Sequence, residues 1–539
     1  MTGSIPIPHE KSFLSITSFQ ETFRECTGLT GSIPEKLFEN CLNVIRFDWT
    51  FEGCKGLTGN IPEKLFSNCT KAKYFNRVFS ACINLNGSIP SRLFENCKLA
   101  SDFDEIFSAC SSLTGEIPEE LFENCINATS FRSTFNTCRG LTGSIPEKLF
   151  ENCTKIENLA YTFDSCKNLT GTIPEGIFAK NTNITSFSYT FRNCTGLTGS
   201  IPEKLFDNCI KVKDFSSTFG GCKGLTGLIP ENLFKNCSDV TSFYSTFYSC
   251  SGLTGTISEK IFENNPKVTS FDTTFSGCTG LTGEIPERLF ENCPNVTSFY
   301  STFGSCKGLT GEIPERLFEN CSNVTSFTST FANCRGLEGN IPEGLFKNCV
   351  NVLNFSYTFE QMINIESIPE KIFYNCEKVK YFNGTFYECE KLASIPEKIF
   401  ANCLNVTNFE NTFRGCKALT EIPPNLFEPC QNVTAFNSTF YECTGITSIP
   451  ENLFAFCQNV TSFGGTFEGC MGITSIPPEL FDKCQDVTDF DSTFRDCHNI
   501  VGNAPELWKR TNVTNTRLCF YNCVKLDNYS EIPTEWRWF

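Results

Sequence analysis

FENCPNVTSFYSTFGSCKGLTGEIPERL, residues 290–317, is one full period of a sentence that the chain repeats from end to end. The proline of its Ile-Pro pair returns at Pro6, Pro34, Pro62, Pro90, Pro118, Pro146, Pro174, Pro202 and Pro230, gives way to Ser258, and resumes at Pro286, Pro314 and Pro342, each time 28 residues on. The step is 27 at Pro369, Pro396, Pro423, Pro450 and Pro477 and 28 again at Pro505 and Pro533, about nineteen units in all. Counted from its proline as place 1, a unit reads P-E-K-L-F-E-N-C-x-x-V-T-S-F-x-x-T-F-x-x-C-x-x-L-T-G-x-I, with apolar residues at places 4, 5, 8, 11, 14, 18, 21, 24 and 28.

One unit cannot enclose its own apolar side chains, but stacked units can. The period therefore overrides the three or four globular domains that 539 residues would otherwise suggest. The expected fold is a repeat solenoid, leucine-rich-repeat-like, with one coil per 27–28 residues. Coils one strand spacing apart, roughly 4.8 Å, would stack to on the order of 90 Å. The 56 phenylalanines, concentrated at places 5, 14 and 18, are the expected core columns. Within a coil, V-T-S-F reads as a short parallel strand. L-T-G-x-I is extended because it runs into proline. Pro286 to Asn292 reads as a two-turn helix, with Pro at its first position and Glu in its first turn.

The solenoid is expected over 1–504, with the degenerate units of 505–539 as a C-terminal cap, and an exposed WRWF tail that docks a partner as the alternative. Three of the four tryptophans, Trp508, Trp536 and Trp538, fall in that last segment. The opening MTGSIPIPHEKSF starts inside a repeat and shows no charged segment followed by an apolar stretch, so no secretory signal is legible there. No apolar run of about eighteen residues offers a membrane span.

The 34 cysteines sort into fifteen at place 8, eighteen at place 21, and Cys519 alone. If the two places were bonded to each other, their losses would be paired. Instead Asn181 and Asn265 replace place 8 while Cys194 and Cys278 persist, and Met362 replaces place 21 while Cys349 and Cys376 persist. Buried free thiols acting as small apolar fillers fit this better than disulfides. Outside the last units the nearest cysteines are thirteen or more apart, and His9 and His498 are the only histidines, so no metal site is expected. No cysteine is set apart beside a histidine, and Glu after each proline reads as a turn-start charge. No catalytic residue and no cofactor are therefore expected. The net charge of −16 withholds the basic surface that nucleic acid needs.

Recognition is the remaining possibility. Places 15 and 16 vary most between otherwise fixed neighbours, and they carry Trp49, Tyr161, Tyr189, Tyr244, Tyr300 and Tyr357. Exposed Tyr and Trp beside Ser make versatile contact surfaces, so these six are the candidate ligand-binding residues, with a drifting solvent face as the alternative reading. Regular Thr at places 12, 17 and 25 raises an ice-binding face, which the variable places between them break up. Asn-x-Ser/Thr triplets at Asn127, Asn295, Asn323, Asn405 and Asn459 would matter only in a eukaryotic secretory pathway.

V-T-S-F-x-x-T-F-x-x-C-x-x-L-T, as at Val296 to Thr310, resembles the BspA-like leucine-rich repeats of bacterial and protist surface proteins, here with Phe where the roughly 25-residue variety has Met. LTGSIP also looks like a plant leucine-rich-repeat phrase. The resemblance implies a non-enzymatic solenoid working in adhesion. Its partner would be a protein or glycan ligand on host or neighbouring cells, and its place the cell surface or outside, with a cytoplasmic interaction scaffold as the alternative. End-to-end self-association into a filament is the structural alternative. Neither nucleic-acid binding nor membrane insertion is expected.

Overall fold

The computed structural model describes residues 2–6 and 13–538, so His9, Glu10 and Phe539 lie outside the described residues. The chain forms two compact units, Met1–Val268 with Cys278–Gly280, and Thr269–Gly277 with Leu281–Phe539. Each is a solenoid of the same coil.

Two parallel ladders join successive coils, as expected. Most are single-residue bridges rather than strands. The Ser of V-T-S-F pairs with its equivalent in the next coil, as in Ser298 with Ser326, and Gly at place 26 pairs with Leu at place 24 of the next, as in Gly283 with Leu309. Only β1 (Thr2–Gly3) and β2 (Gly28–Leu29) form a two-residue parallel pair among the described residues. Gly at place 26 is needed for its backbone: Gly283 has φ 75° and Gly311 has φ 76°, a region open to glycine. The 27-residue units delete this glycine, and the bridges of the second ladder end with it, leaving single bonds such as Ala393 N–H to Glu366 O (3.1 Å). Its last bridge is Gly339 with Ile365, while the place-13 ladder continues to Asn515.

The expected helix at Pro286 to Asn292 is corrected to a chain of turns. Leu289 N–H bonds to Pro286 O (3.3 Å), Glu291 N–H to Arg288 O (3.0 Å) and Cys293 N–H to Phe290 O (3.0 Å), each three residues back. Seven residues close too few i to i−4 bonds to offset helix nucleation, and the tighter turn returns the chain sooner to the stack. The one α-helix among the described residues is α1 (Thr534–Arg537).

The phenylalanine columns are present. In the second unit Phe290 and Phe318 stack at 6.1 Å, Phe299 and Phe327 at 5.7 Å, and Phe303 and Phe331 at 5.7 Å, with ring planes within 6° of parallel. The columns also interlock, because Phe290 and Phe299 of one coil meet tilted at 4.7 Å. Phe206–Phe234, Phe215–Phe243 and Phe219–Phe247 repeat the arrangement in the first unit. Offset and tilted aromatic pairs add to the stabilisation from burial alone.

The cysteines stand as thiols, and all but Cys26 are buried. They are more than apolar fillers. At place 21 the thiols from Cys54 onward donate to the Phe carbonyl of the preceding coil, as Cys54 Sγ to Phe23 O (2.9 Å) and Cys334 Sγ to Phe303 O (2.9 Å). At place 8, Cys484 Sγ lies 3.3 Å from Cys457 O. Its other contact is Phe454 O (3.7 Å), and this explains the replacement of Cys by Asn there: Asn181 Nδ2 reaches the equivalent two carbonyls, Phe150 O (3.3 Å) and Cys153 O (2.9 Å). Thr at place 17 is a donor of the same kind. Thr330 Oγ1, fully buried, donates to Phe299 O (3.0 Å) and Phe327 O (2.7 Å), so this column is core and not part of any ice-facing surface.

At the C-terminal end the Arg510 guanidinium takes the place of the next thiol, donating to Cys484 O (2.7 Å) and Phe481 O (2.6 Å). Trp536, 4% exposed, lies over Phe520 at 6.3 Å and accepts the Phe520 N–H through its carbonyl (2.9 Å).

Candidate binding face

Between places 13 and 21 the backbone alternates two kinds of bond. The N–H groups of places 14, 16, 18 and 20 donate to the next coil: Phe299 to Ser326 O (3.1 Å), Ser301 to Thr328 O (2.8 Å), Phe303 to Thr330 O (3.0 Å) and Ser305 to Ala332 O (2.7 Å). Those of places 17, 19 and 21 turn back three residues within the coil, as Thr302 to Phe299 O (3.2 Å) and Gly304 to Ser301 O (3.0 Å). Place 15 is served by the short polar side chain at place 13. Tyr300 N–H bonds to Ser298 Oγ (3.2 Å), and Ala160 N–H to Asn158 Oδ1 (2.9 Å). This local capping accounts for Ser, Asn or Asp at place 13 in most coils, while Arg46, Tyr74, Tyr381 and Ala435 stand there without it.

The alternation puts places 16 and 20 in the left-handed region, at φ 50° in Ser301 and 60° in Ser305. The six predicted aromatic residues accordingly divide. Trp49, Tyr161, Tyr189 and Tyr357 occupy place 16, with φ of 55–60°, and are half-buried. Tyr244 and Tyr300 occupy place 15 and are 42% and 48% exposed.

Neighbouring coils bring some of them together. Tyr161 and Tyr189 stack at 4.4 Å, and the Arg192 guanidinium lies 4.6 Å from the Tyr189 ring and 5.9 Å from that of Tyr161. Arg192 is held in turn by Asp164 (Nε 3.0 Å), a bond that raises its pKa. Burial raises the Tyr161 phenol. The Arg24 guanidinium lies 5.8 Å from the Trp49 ring. Tyr357 lies against the next coil at Gly384, where a Cβ would come 2.3 Å from the ring, so only glycine fits there.

Sequence reasoning missed place 19. It carries Asp164 and Arg192 in the first unit, and in the second a column in which Arg414 lies between Tyr387 (5.5 Å) and Tyr441 (4.0 Å) and Arg495 pairs with Glu468 (3.4 Å). The signal was present in the sequence, since opposite charges or Arg and Tyr recur there one period apart. One carboxyl on this face is tuned toward neutrality: burial, with Asp104 and Asp48 adding repulsion, pushes Asp102 up to about 6.

The glycosylation-like triplets serve the stack. Asn127 Nδ2 donates to Lys98 O (2.9 Å), Asn323 to Pro294 O (3.0 Å), Asn405 to Glu377 O (2.9 Å) and Asn459 to Gln431 O (3.0 Å). A glycan on that nitrogen would remove one of its two donors from the ladder.

Two family models match the repeats. The model described as "Mycoplasma protein of unknown function, DUF285" matches overlapping stretches from 17–148 to 228–343, and the BspA type leucine rich repeat region, in six copies, matches 339–488. No curated protein matches the chain. Among solved structures, the plant peptide hormone receptor RGFR1 in complex with RGF2 is 19% identical, with 96% of this chain and 90% of that chain covered and a TM-score of 0.39. A leucine-rich repeat protein from Bacteroides ovatus is 16% identical (83% and 92% covered, TM-score 0.31), and a leucine rich cell surface protein from Faecalibacterium prausnitzii 17% (66% and 81%, TM-score 0.27). With its stacked F-x-x-C coils and repeat models matching from residue 17 to residue 488, the chain belongs to the BspA-like leucine-rich-repeat family.

Proposed function

We propose that the chain is a non-enzymatic binding solenoid working in adhesion outside a cell, and that it takes a protein or glycan ligand on the face formed by places 15, 16 and 19. The observation that carries this reading is how the backbone there is satisfied. In coils such as Phe299 to Cys306 every N–H from place 14 to place 21 is committed to the stack or to a place-13 side chain, so side chains at 15, 16 and 19 vary there without disturbing the coil. Tyr, Trp, Arg and Ser at those places supply rigid amphipathic contact area with adaptable hydrogen bonding. Segment 505–539 acts as the C-terminal cap, with Trp536 and Arg510 supplying the ring and the donors that a further coil would bring.

The test is an array of glycans and matrix proteins, followed by Tyr244→Ala and Tyr300→Ala against whatever binds. Both rings are exposed, so stability should shift by no more than about 0.5 kcal/mol, while affinity should fall at least about tenfold, or about 1.4 kcal/mol. A large loss of stability, or binding indifferent to both substitutions, would refute this face.

A further inference from the structure

The Ile-Pro-Glu corner of the coil forms a surface of its own together with the variable residue before each isoleucine, such as Glu116 and Ser144. In the Met1–Val268 unit, successive corners line a groove from Asn60 to Ser258, in two overlapping stretches of about 1000 Å³ and 1090 Å³. Its floor is the isoleucine column, with Ile117 and Ile145 only 2% and 1% exposed, beside half-buried prolines. Seven carboxylates line it, among them Glu63, Glu116, Glu119 and Glu147, and no Lys or Arg does. All seven are exposed, and only Glu231, with Lys260 at 2.9 Å, forms a salt bridge among the described residues.

The backbone sets this corner apart. The main-chain N–H and C=O of Glu116, Ile117, Ser144 and Ile145 make no hydrogen bond to any described residue, in contrast to the closed ladder at places 14–21. Buried main-chain polar groups are nearly always paired with protein or water. A column of uncommitted amides beside an apolar floor is therefore a surface suited to another backbone.

We propose that this groove binds an extended peptide segment rich in Lys or Arg. The isoleucine and proline floor takes the aliphatic stems, the carboxylate rim meets the cationic heads, and the uncommitted N–H and C=O groups meet the peptide's own. Eight corners one strand spacing apart span roughly 34 Å, the length of about ten extended residues.

The probe is a fluorescein-labelled decapeptide of alternating Lys and Ala, followed by anisotropy with the full chain. An alternating Glu-Ala peptide and spermine serve as comparators. The Lys-Ala peptide should bind, weaken with salt, and outcompete spermine at equal charge. Combining Glu116→Gln, Glu119→Gln and Glu147→Gln should weaken it at least about tenfold with an unchanged thermal melt, whereas Tyr161→Ala should leave it unaltered. A benzophenone-bearing version should crosslink to the wild-type chain between Asn60 and Ser258. Equal binding by the triple variant, displacement by spermine at equal charge, or crosslinks mapping elsewhere would overturn the proposal.

Discussion

Raising the pH from about 7 to about 9.5 should destabilise the array through its buried thiols. An ordinary cysteine loses its proton near pH 8.5, at about that value in the unfolded chain. In the coil, burial pushes Cys97, Cys110, Cys321 and Cys334 up to about 12. Below about pH 8.5 both states hold the proton and this contribution to stability is fully present. Above it the unfolded chain releases protons that the native chain retains, so stability falls as pH climbs toward the native value. At about pH 9.5, one unit above the unfolded pKa, each buried thiol lowers stability by about 1.4 kcal/mol, and a coil with two thiols by about 3 kcal/mol. That is a large fraction of the roughly 5–15 kcal/mol that holds a typical domain. The assay is urea unfolding followed by circular dichroism under anaerobic conditions at about pH 7, 8.5 and 9.5. A falling midpoint is expected. A midpoint independent of pH would mean that the thiols hold no such protons in the native state, and the reading of both columns would be wrong.

Three substitutions probe the packing behind this. Phe327→Ala removes a ring that meets Phe299, Phe318, Phe346 and Phe355 at 4.6–5.7 Å, so a loss of about 3–5 kcal/mol is expected. Because repeats are coupled only to their neighbours, limited proteolysis should find new cleavage in the adjoining coils, and cleavage spread evenly over the chain would contradict it. Asn181→Cys removes a buried Oδ1 that has no partner and keeps a donor, so the unfolding free energy from urea titration should rise by about 1 kcal/mol, whereas a fall would refute the donor reading of place 8. Thr137→Gly relieves a β-branched residue at φ 61°, where Gly221 and Gly415 occupy the equivalent place, and should gain about 0.5–1 kcal/mol. Destabilisation would show that the backbone there is not strained.

Fixed spacing made part of this structure readable in advance. The phenylalanine columns, the two parallel ladders and the unpaired cysteines follow from a period of 27–28 residues and from which losses accompany which. The turn at Pro286 was misread because Pro, Glu and Asn signal a helix start and stop equally well when the segment is too short to hold a helix. Thr330 and its column looked like surface residues. Their burial depends on an i to i−3 turn and a coil-to-coil carbonyl, neither of which has a hydrophobic pattern. The division of the aromatic face into places 15 and 16 follows from left-handed φ values that Tyr and Ser do not advertise. The Ile-Pro-Glu groove escaped notice because invariance within a repeat suggests framework rather than a binding surface.

Hydrogen exchange read repeat by repeat tests the stacking most directly. Within each compact unit the amides at places 14, 16, 18 and 20, from Phe19 to Gly221 and from Phe299 to Asp496, donate to the following coil, so strong and even protection is expected at these places in both units. Protection confined to a few segments, with the same places in other repeats exchanging at the rate of an open chain, would contradict a fold built by bonding each coil to the next.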